Sequence, residues 1–337
     1  MLTERQELVL KLIVDEYVKT AEPIGSRSLS KFIDVSPATI RNEMSDLEEL
    51  GYLEKTHTSS GRVPSEKGYR YYIETIIKNL DDDTDGYFEF EHLFENKDIE
   101  RDEIIKEAVN LLSQATNCTA ISLGPNAYHS KVKKVQLIPL SPTQALVLVI
   151  TNFGYVESKQ ITISEDMEIE ELVKVIDLLN ELLKDTPISQ VSEKLHYEIQ
   201  HHQIKDLLKY RETIVESFIE AFSKFAQTKY YLTGQSNMLY QPEFNDIQKL
   251  REFITTIENN EIFKIVETDS DGVSVKIGTE NSVTSMQDCT VVSSTYLTKD
   301  GEKGSISLVG PTRMEYRKVI PLIKYIAKHI TKLYENE

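Results

Sequence analysis

IDVSPATIRNEMSDLEELGYL, Ile33 to Leu53, reads as a helix delivered to a target rather than buried in a core. Ser36 is a good N-cap, Pro37 needs no amide donor at the first helical position, and Gly51 suits the left-handed turn that closes the far end. Ile40, Met44 and Leu47 recur at i, i+4, i+7 and make one narrow apolar stripe, with Leu50 beside it. At about 100° per residue, Ala38, Arg41, Asn42 and Ser45 fall on the outward side of the first two turns, while the acids Glu48 and Glu49 come only in the last. Small, hydroxyl, amide and guanidinium groups on one exposed face suit the major groove of DNA, where Arg reads guanine and Asn reads adenine. The alternative for Arg41 is an ion pair with Asp34 or Glu48 that merely stabilises the domain.

Working outward, Pro23-Ile24-Gly25 ends one helix and Ser26 caps a short one, Arg27 to Phe32, before the turn at Asp34, which is helix-turn-helix spacing. Downstream, Tyr52 to Thr58 predicts a strand, Ser59-Ser60-Gly61-Arg62 a polar tip, and Val63-Pro64 the return before Ser65 caps another helix. A strand, a basic tip and a return directly after such a helix make a wing; the bland reading is an ordinary helical hairpin domain. The first helix carries a capping box, Thr3 with Gln6, and an expected stripe of Leu8, Val9, Leu12 and Ile13. The helix after the wing presents Tyr69, Tyr72, Ile73, Ile76, Ile77 and Leu80, more apolar surface than one small winged domain covers, which predicts an interface.

The runs PIGSRSL (Pro23 to Leu29), SPATIRNEMSDLEELGYL (Ser36 to Leu53) and HTSSGRVPSEKGYRYYI (His57 to Ile73) resemble the amino-terminal domain of the heat-inducible transcription repressor HrcA family. LVGPTRMEYRKVI, Leu308 to Ile320, resembles that family's carboxy-terminal signature, and between about Met167 and Gln227 no sharp motif matches. The resemblance implies a homodimer on a spaced inverted repeat, CIRCE, upstream of the groE and dnaK chaperone operons. It also implies release of the block by heat and help from the chaperonin GroEL in keeping the repressor active.

The net charge of −17 argues against nonspecific adhesion to nucleic acid, so contacts must be concentrated locally. Residues 1–75 carry 10 Lys+Arg against 13 Asp+Glu, yet Lys55, Arg62, Lys67 and Arg70 face only Glu66 between Lys55 and Tyr72, a cluster that is either a solvated face or, beside such a helix, placed for phosphate contacts that fix register. The predicted DNA-contacting set is therefore Ser36, Ala38, Thr39, Arg41, Asn42 and Ser45 on the helix, His57, Ser59, Gly61 and Arg62 on the wing, and Lys67 and Arg70 just beyond it. At least one of Arg41 and Asn42 is expected at base edges, and Arg62, at the wing tip, mainly at phosphate or in the minor groove.

A length of 337 residues with 40% apolar content suits two or three packed domains. Met1 to Thr20 is amphipathic rather than a signal peptide and no apolar run reaches membrane-spanning length, which predicts a cytoplasmic protein without membrane partners. Cys118 and Cys289 sit in apolar segments without a CxxC pair and predict buried thiols. Asp81 to Gly86 reads as an exposed acidic linker. Beyond it come a helix, Glu103 to Thr116, and strands Thr119 to Leu123, Val132 to Pro139, Ala145 to Thr151 and Tyr155 to Ile163. Helical periodicity over Ile169 to Leu183 and Ser192 to Phe225 precedes further strands, Gly272 to Ile277, Thr290 to Leu297 and Gly304 to Val309. The last helix, starting at Thr312, should bend at Pro321.

With the resemblance, this predicts an α+β multidomain chain. A winged helix-turn-helix occupies 1–75 and a linker 76–100. A GAF-like antiparallel sheet domain is split into 101–164 and 241–337, and a helical dimerising domain is inserted at 165–240. His196, His201 and His202 miss the spacing of a helical zinc site, and Asp269-Ser270-Asp271-Gly272 lacks the later ligands of a calcium loop. No catalytic triad and no phosphate-cradling glycine loop is present, so neither enzyme activity nor a cofactor or metal is expected. The competing reading is a ligand-sensing GAF-type regulator of another regulon, whose mark would be a polar-lined pocket in the sheet.

Overall fold

The computed structural model describes residues 2–55, 61–80, 87–96, 99–124, 131–152, 156–162, 169–187, 190–191, 194–195, 197, 230–258, 266, 272–299 and 301–335. The capping box at Thr3 and Gln6 starts α1, Glu4–Thr20. Its buried face is Val9, Leu10, Ile13 and Val14, while Leu8 is 40% exposed, so the expected stripe is rotated. α1 packs on α4, Glu66–Lys78, and on other neighbouring elements as well as on α3, Pro37–Glu49, so its buried side is not set by α3 alone. Between α1 and α3 lies α2, Ser26–Leu29, capped by Gly25; Ser26 is its buried first residue rather than its cap. Ser36 caps α3 by accepting from Thr39 N at 3.2 Å, and Gly51 takes the left-handed turn with φ of 79°. Leu50 departs from the stripe at 48% exposed.

The wing strands are β1, Leu53–Lys55, and β2, Arg62–Pro64, antiparallel with Lys55 opposite Arg62. Arg62 thus lies in the returning strand rather than at the tip. His57 and Ser59 lie outside the described residues. Gly61 is where the wing meets the helix-turn-helix: a Cβ there would sit 2.7 Å from Pro23 O, next to the Ile24–Arg62 backbone pairing.

Residues 87–96 are not linker. The helix α5, Phe88–Glu95, buries Phe90 and packs on α6, Arg101–Thr116. The acidic run Asp81 to Gly86 lies outside the described residues. After α6 come β3, Thr119–Leu123; β4, Val132–Ser141; β5, Gln144–Thr151; β6, Val156–Thr162; and α7, Ile169–Leu183. They are followed by β7, Tyr230–Thr233; α8, Ile247–Glu258; β8, Val273–Ile277; β9, Cys289–Leu297; β10, Lys303–Pro311; and α9, Tyr316–Glu335.

Two sheets replace the single interrupted sheet expected. One has the order β7-β3-β10-β9-β8 and the other the order β4-β5-β6. The chain divides accordingly into one unit of Met1–Ser122, Tyr231–Gly301 and Ser305–Glu337 and a second of Leu123–Tyr230 with Glu302–Gly304. The insertion therefore begins near residue 123 rather than 165, and it is not purely helical. In the second unit, α7 packs on β4, and Asn180 accepts from Val135 N at 2.7 Å and donates to Val135 O at 2.9 Å, occupying part of that strand's open edge. His201 and His202, with most of the helix expected over Ser192 to Phe225, lie outside the described residues.

In the first unit α9 begins at Tyr316 rather than Thr312 and runs continuously through Pro321. It buries Tyr316, Val319, Ile320, Ile323, Ile326 and Ile330. The surplus apolar face of α4 is covered here, because Tyr69 and Tyr72 pack on Tyr316. That face is an interface within one chain. Cys118 and Cys289 are buried and free, and burial pushes both thiols up to about 12.

Candidate nucleic-acid interface

The exposed face of α3 carries Ala38, Arg41, Asn42 and Ser45, as 3.6-residue periodicity requires once Ile40, Glu43, Met44 and Leu47 are buried. The helix is held from behind by two polar ties to α1. Arg5 Nε donates to Glu43 Oε1 at 2.6 Å, and Gln6 Nε2 to Asp46 Oδ2 at 3.4 Å. Glu43 is buried and paired, which sequence reading missed because its partner lies 38 residues away.

Arg41 forms no ion pair with Asp34 or Glu48. Among the described residues neither its side chain nor those of Asn42 and Ser45 makes a hydrogen bond or ion pair. Glu48 is instead the partner of Arg62, whose Nε donates to Oε2 at 2.6 Å. Ser36 and Thr39 face each other, hydroxyl to hydroxyl, at 2.9 Å, so their side chains shape the start of the helix.

The structure does not bring Lys67 and Arg70 to this face. Lys67 Nζ donates to Leu50 O at 2.7 Å and lies 4.5 Å from the Tyr52 ring centroid, closing the C-terminal end of α3. Arg70 donates to Glu280 and, at 2.8 Å, to Val275 O, while Glu66 accepts from Thr279 N at 3.0 Å and Thr279 Oγ1 at 2.7 Å. These contacts fasten α4 to the end of β8. Two further arginines tie the winged segment to the carboxy-terminal segment: Arg313 donates to Val18 O and pairs with Glu243 at 2.5 Å, and Arg317 donates to Tyr72 Oη. No local signal marks Arg70 as structural, since its partners follow 205 and 210 residues later.

Gly25, Ser26, Arg27, Arg41, Met44, Lys55 and Arg62 line one open cleft beside α3, of about 610 Å³. Arg27 did not stand among the predicted contacts, whereas Lys55 belonged to the basic cluster expected at phosphate.

A capped, outward-facing helix set between a short helix and a two-stranded wing defines a winged helix-turn-helix DNA-binding regulator. Residues 1–75 match the family model described as winged helix-turn-helix transcription repressor, HrcA DNA-binding, and residues 102–320 match that of the HrcA protein C terminal domain. The chain is 41% identical over 338 residues to the heat-inducible transcription repressor HrcA of Acholeplasma laidlawii (strain PG-8A), covering 100% of this chain and 98% of the relative. It also resembles a solved structure described as that of a hypothetical protein, with TM-score 0.64 and 25% identity over 100% of this chain and 99% of the other. This chain belongs to the HrcA family of heat-inducible transcription repressors, which is not a class of enzymes. No helix among the described residues is long and apolar enough to cross a membrane.

Proposed function

We propose that this repressor acts in the cytoplasm as a homodimer seated on the inverted repeat CIRCE upstream of groE and dnaK operons. In this reading α3 reads base edges through Arg41 and Asn42, heat releases the complex, and the chaperonin GroEL favours the DNA-binding form. The observation that carries it is the exposed N-terminal half of α3, whose Arg41 and Asn42 side chains have no partners among the described residues, in a chain matching a repressor over its full length. Such side chains are available to hydrogen-bond base edges without first breaking a native contact. Two-fold symmetry in the protein is what a palindromic operator requires. Leu239, Tyr240, Ile247 and Ile254 are exposed apolar residues close together in sequence, and they support a self-association surface better than α4 does.

The test is a titration of purified protein against a CIRCE duplex, a lone half-site and scrambled DNA, across temperature and with and without chaperonin. Tight binding to the full repeat that weakens on heating and is maintained by chaperonin is expected. Equal affinity for all three duplexes contradicts the proposal.

A further inference from the structure

The cleft beside α3 gathers four cations from four elements: Arg27 of α2, Arg41 of α3, Lys55 of β1 and Arg62 of β2, with no acid among its lining residues. This grouping occurs in a chain of net charge −17, in which acids outnumber bases on average. Glu48 answers Arg62. Arg27, Arg41 and Lys55 are exposed, and their side chains make no hydrogen bond or ion pair among the described residues. Like charges around a concave surface repel one another, and an anion seated among them converts that repulsion into attraction. Arg41 belongs both to the wall of the cleft and to the outward face of α3, so the cleft and the proposed reading face are continuous.

We propose that this cleft seats a phosphodiester of the DNA backbone, gripped by Arg27 and Lys55, which fixes the register at which Arg41 and Asn42 meet the bases. The proposal rests on the reading of α3 as the base-contacting helix and adds two positioning residues to it. Contacts of this kind neutralise phosphate without carrying sequence information, so their loss has a signature distinct from that of a base contact.

Arg27→Ala, Arg27→Gln and Lys55→Ala are titrated by fluorescence anisotropy against CIRCE and scrambled duplexes at several salt concentrations, with Arg41→Ala alongside and melting checked first. The Arg27 and Lys55 side chains are exposed, so unchanged melting is expected. Each of the three variants should weaken both duplexes by the same factor and lower the log–log salt slope by about one. Inorganic phosphate added at constant ionic strength should not displace the duplex, which separates a backbone site from a site for the free ion. Folded variants with wild-type slopes, selective loss of operator preference in them, or displacement by millimolar phosphate would each overturn the proposal. If Arg41→Ala loses operator preference while the Arg27 and Lys55 variants keep wild-type slopes, the cleft assignment fails and the reading of α3 stands.

Discussion

Arg62 donates from Nε to Glu48 Oε2 at 2.6 Å, tying the first residue of the returning wing strand to the last turn of α3. Glu48 is thereby withheld from Arg41. Without this pair, an acid in the last turn would be free to compete with phosphate for the cations of the neighbouring cleft. The pair joins the wing to the helix and leaves the side chains of the N-terminal half of α3 exposed.

Both side chains of that pair are partly exposed, at 16% and 33%, so its contribution to stability is modest. A double-mutant cycle with Arg62→Ala and Glu48→Gln, followed by chemical denaturation, should give a coupling energy of about 0.5–1 kcal/mol. A coupling indistinguishable from zero contradicts the role assigned to the pair in holding the wing.

Gly68→Ala should reverse the usual helix rule. Replacing a glycine inside a helix by alanine ordinarily stabilises by roughly 1 kcal/mol. Gly68 sits in the first turn of α4, where a Cβ would lie 2.2 Å from the Tyr52 carbonyl oxygen. The expected outcome is destabilisation by about 1–3 kcal/mol, because backbone must shift to admit the methyl group. A raised melting temperature refutes the close approach.

Arg70→Ala and Glu66→Gln test the fastening of α4 to the end of β8. Each removes one partner from the polar contacts at Glu280 or Thr279. The expected result is faster amide exchange in residues 66–80 and 275–280, with operator-to-scrambled discrimination unchanged, since neither side chain lies at the reading face. Loss of discrimination by a folded Arg70→Ala variant would return Arg70 to the DNA-contacting set.

The two cysteines give a pH-dependent expectation. Burial raises Cys118 and Cys289 from an ordinary value of 9 to about 12, so the folded state favours the neutral thiols. Their contribution to stability is complete below pH 9 and is lost as pH rises through the folded value near 12. Between pH 7 and 8 a thiol reagent should label neither cysteine in native protein and both after unfolding. Rapid labelling of native protein contradicts the burial.

The parts of the interface governed by local rules were legible in the chain. Ser36, Pro37 and Gly51 bound α3 because capping and left-handed turns are set by adjacent residues, and the exposure of Arg41 and Asn42 follows from helical periodicity. Strand pairing is not local, so the apolar run Ala145 to Thr151 reads as a strand without saying which sheet it joins. The register of the wing, which moves Arg62 from tip to strand, depends on pairing with Lys55. The charges of Lys67 and Arg70 read as phosphate contacts because nothing near them in sequence announces Leu50 O or Glu280 as partners. The buried face of α1 is displaced by one position from the expected stripe because its several packing neighbours, not its own apolar residues, decide which side is covered.

The most direct test of the central claim is the discrimination between CIRCE and scrambled duplex, measured for Arg41→Ala and Asn42→Ala at matched salt after melting has been shown unchanged. At least one variant should lose about 1–3 kcal/mol of preference, confined to one operator position, with the salt slope preserved. Full operator preference retained by both folded variants would show that α3 does not read the bases.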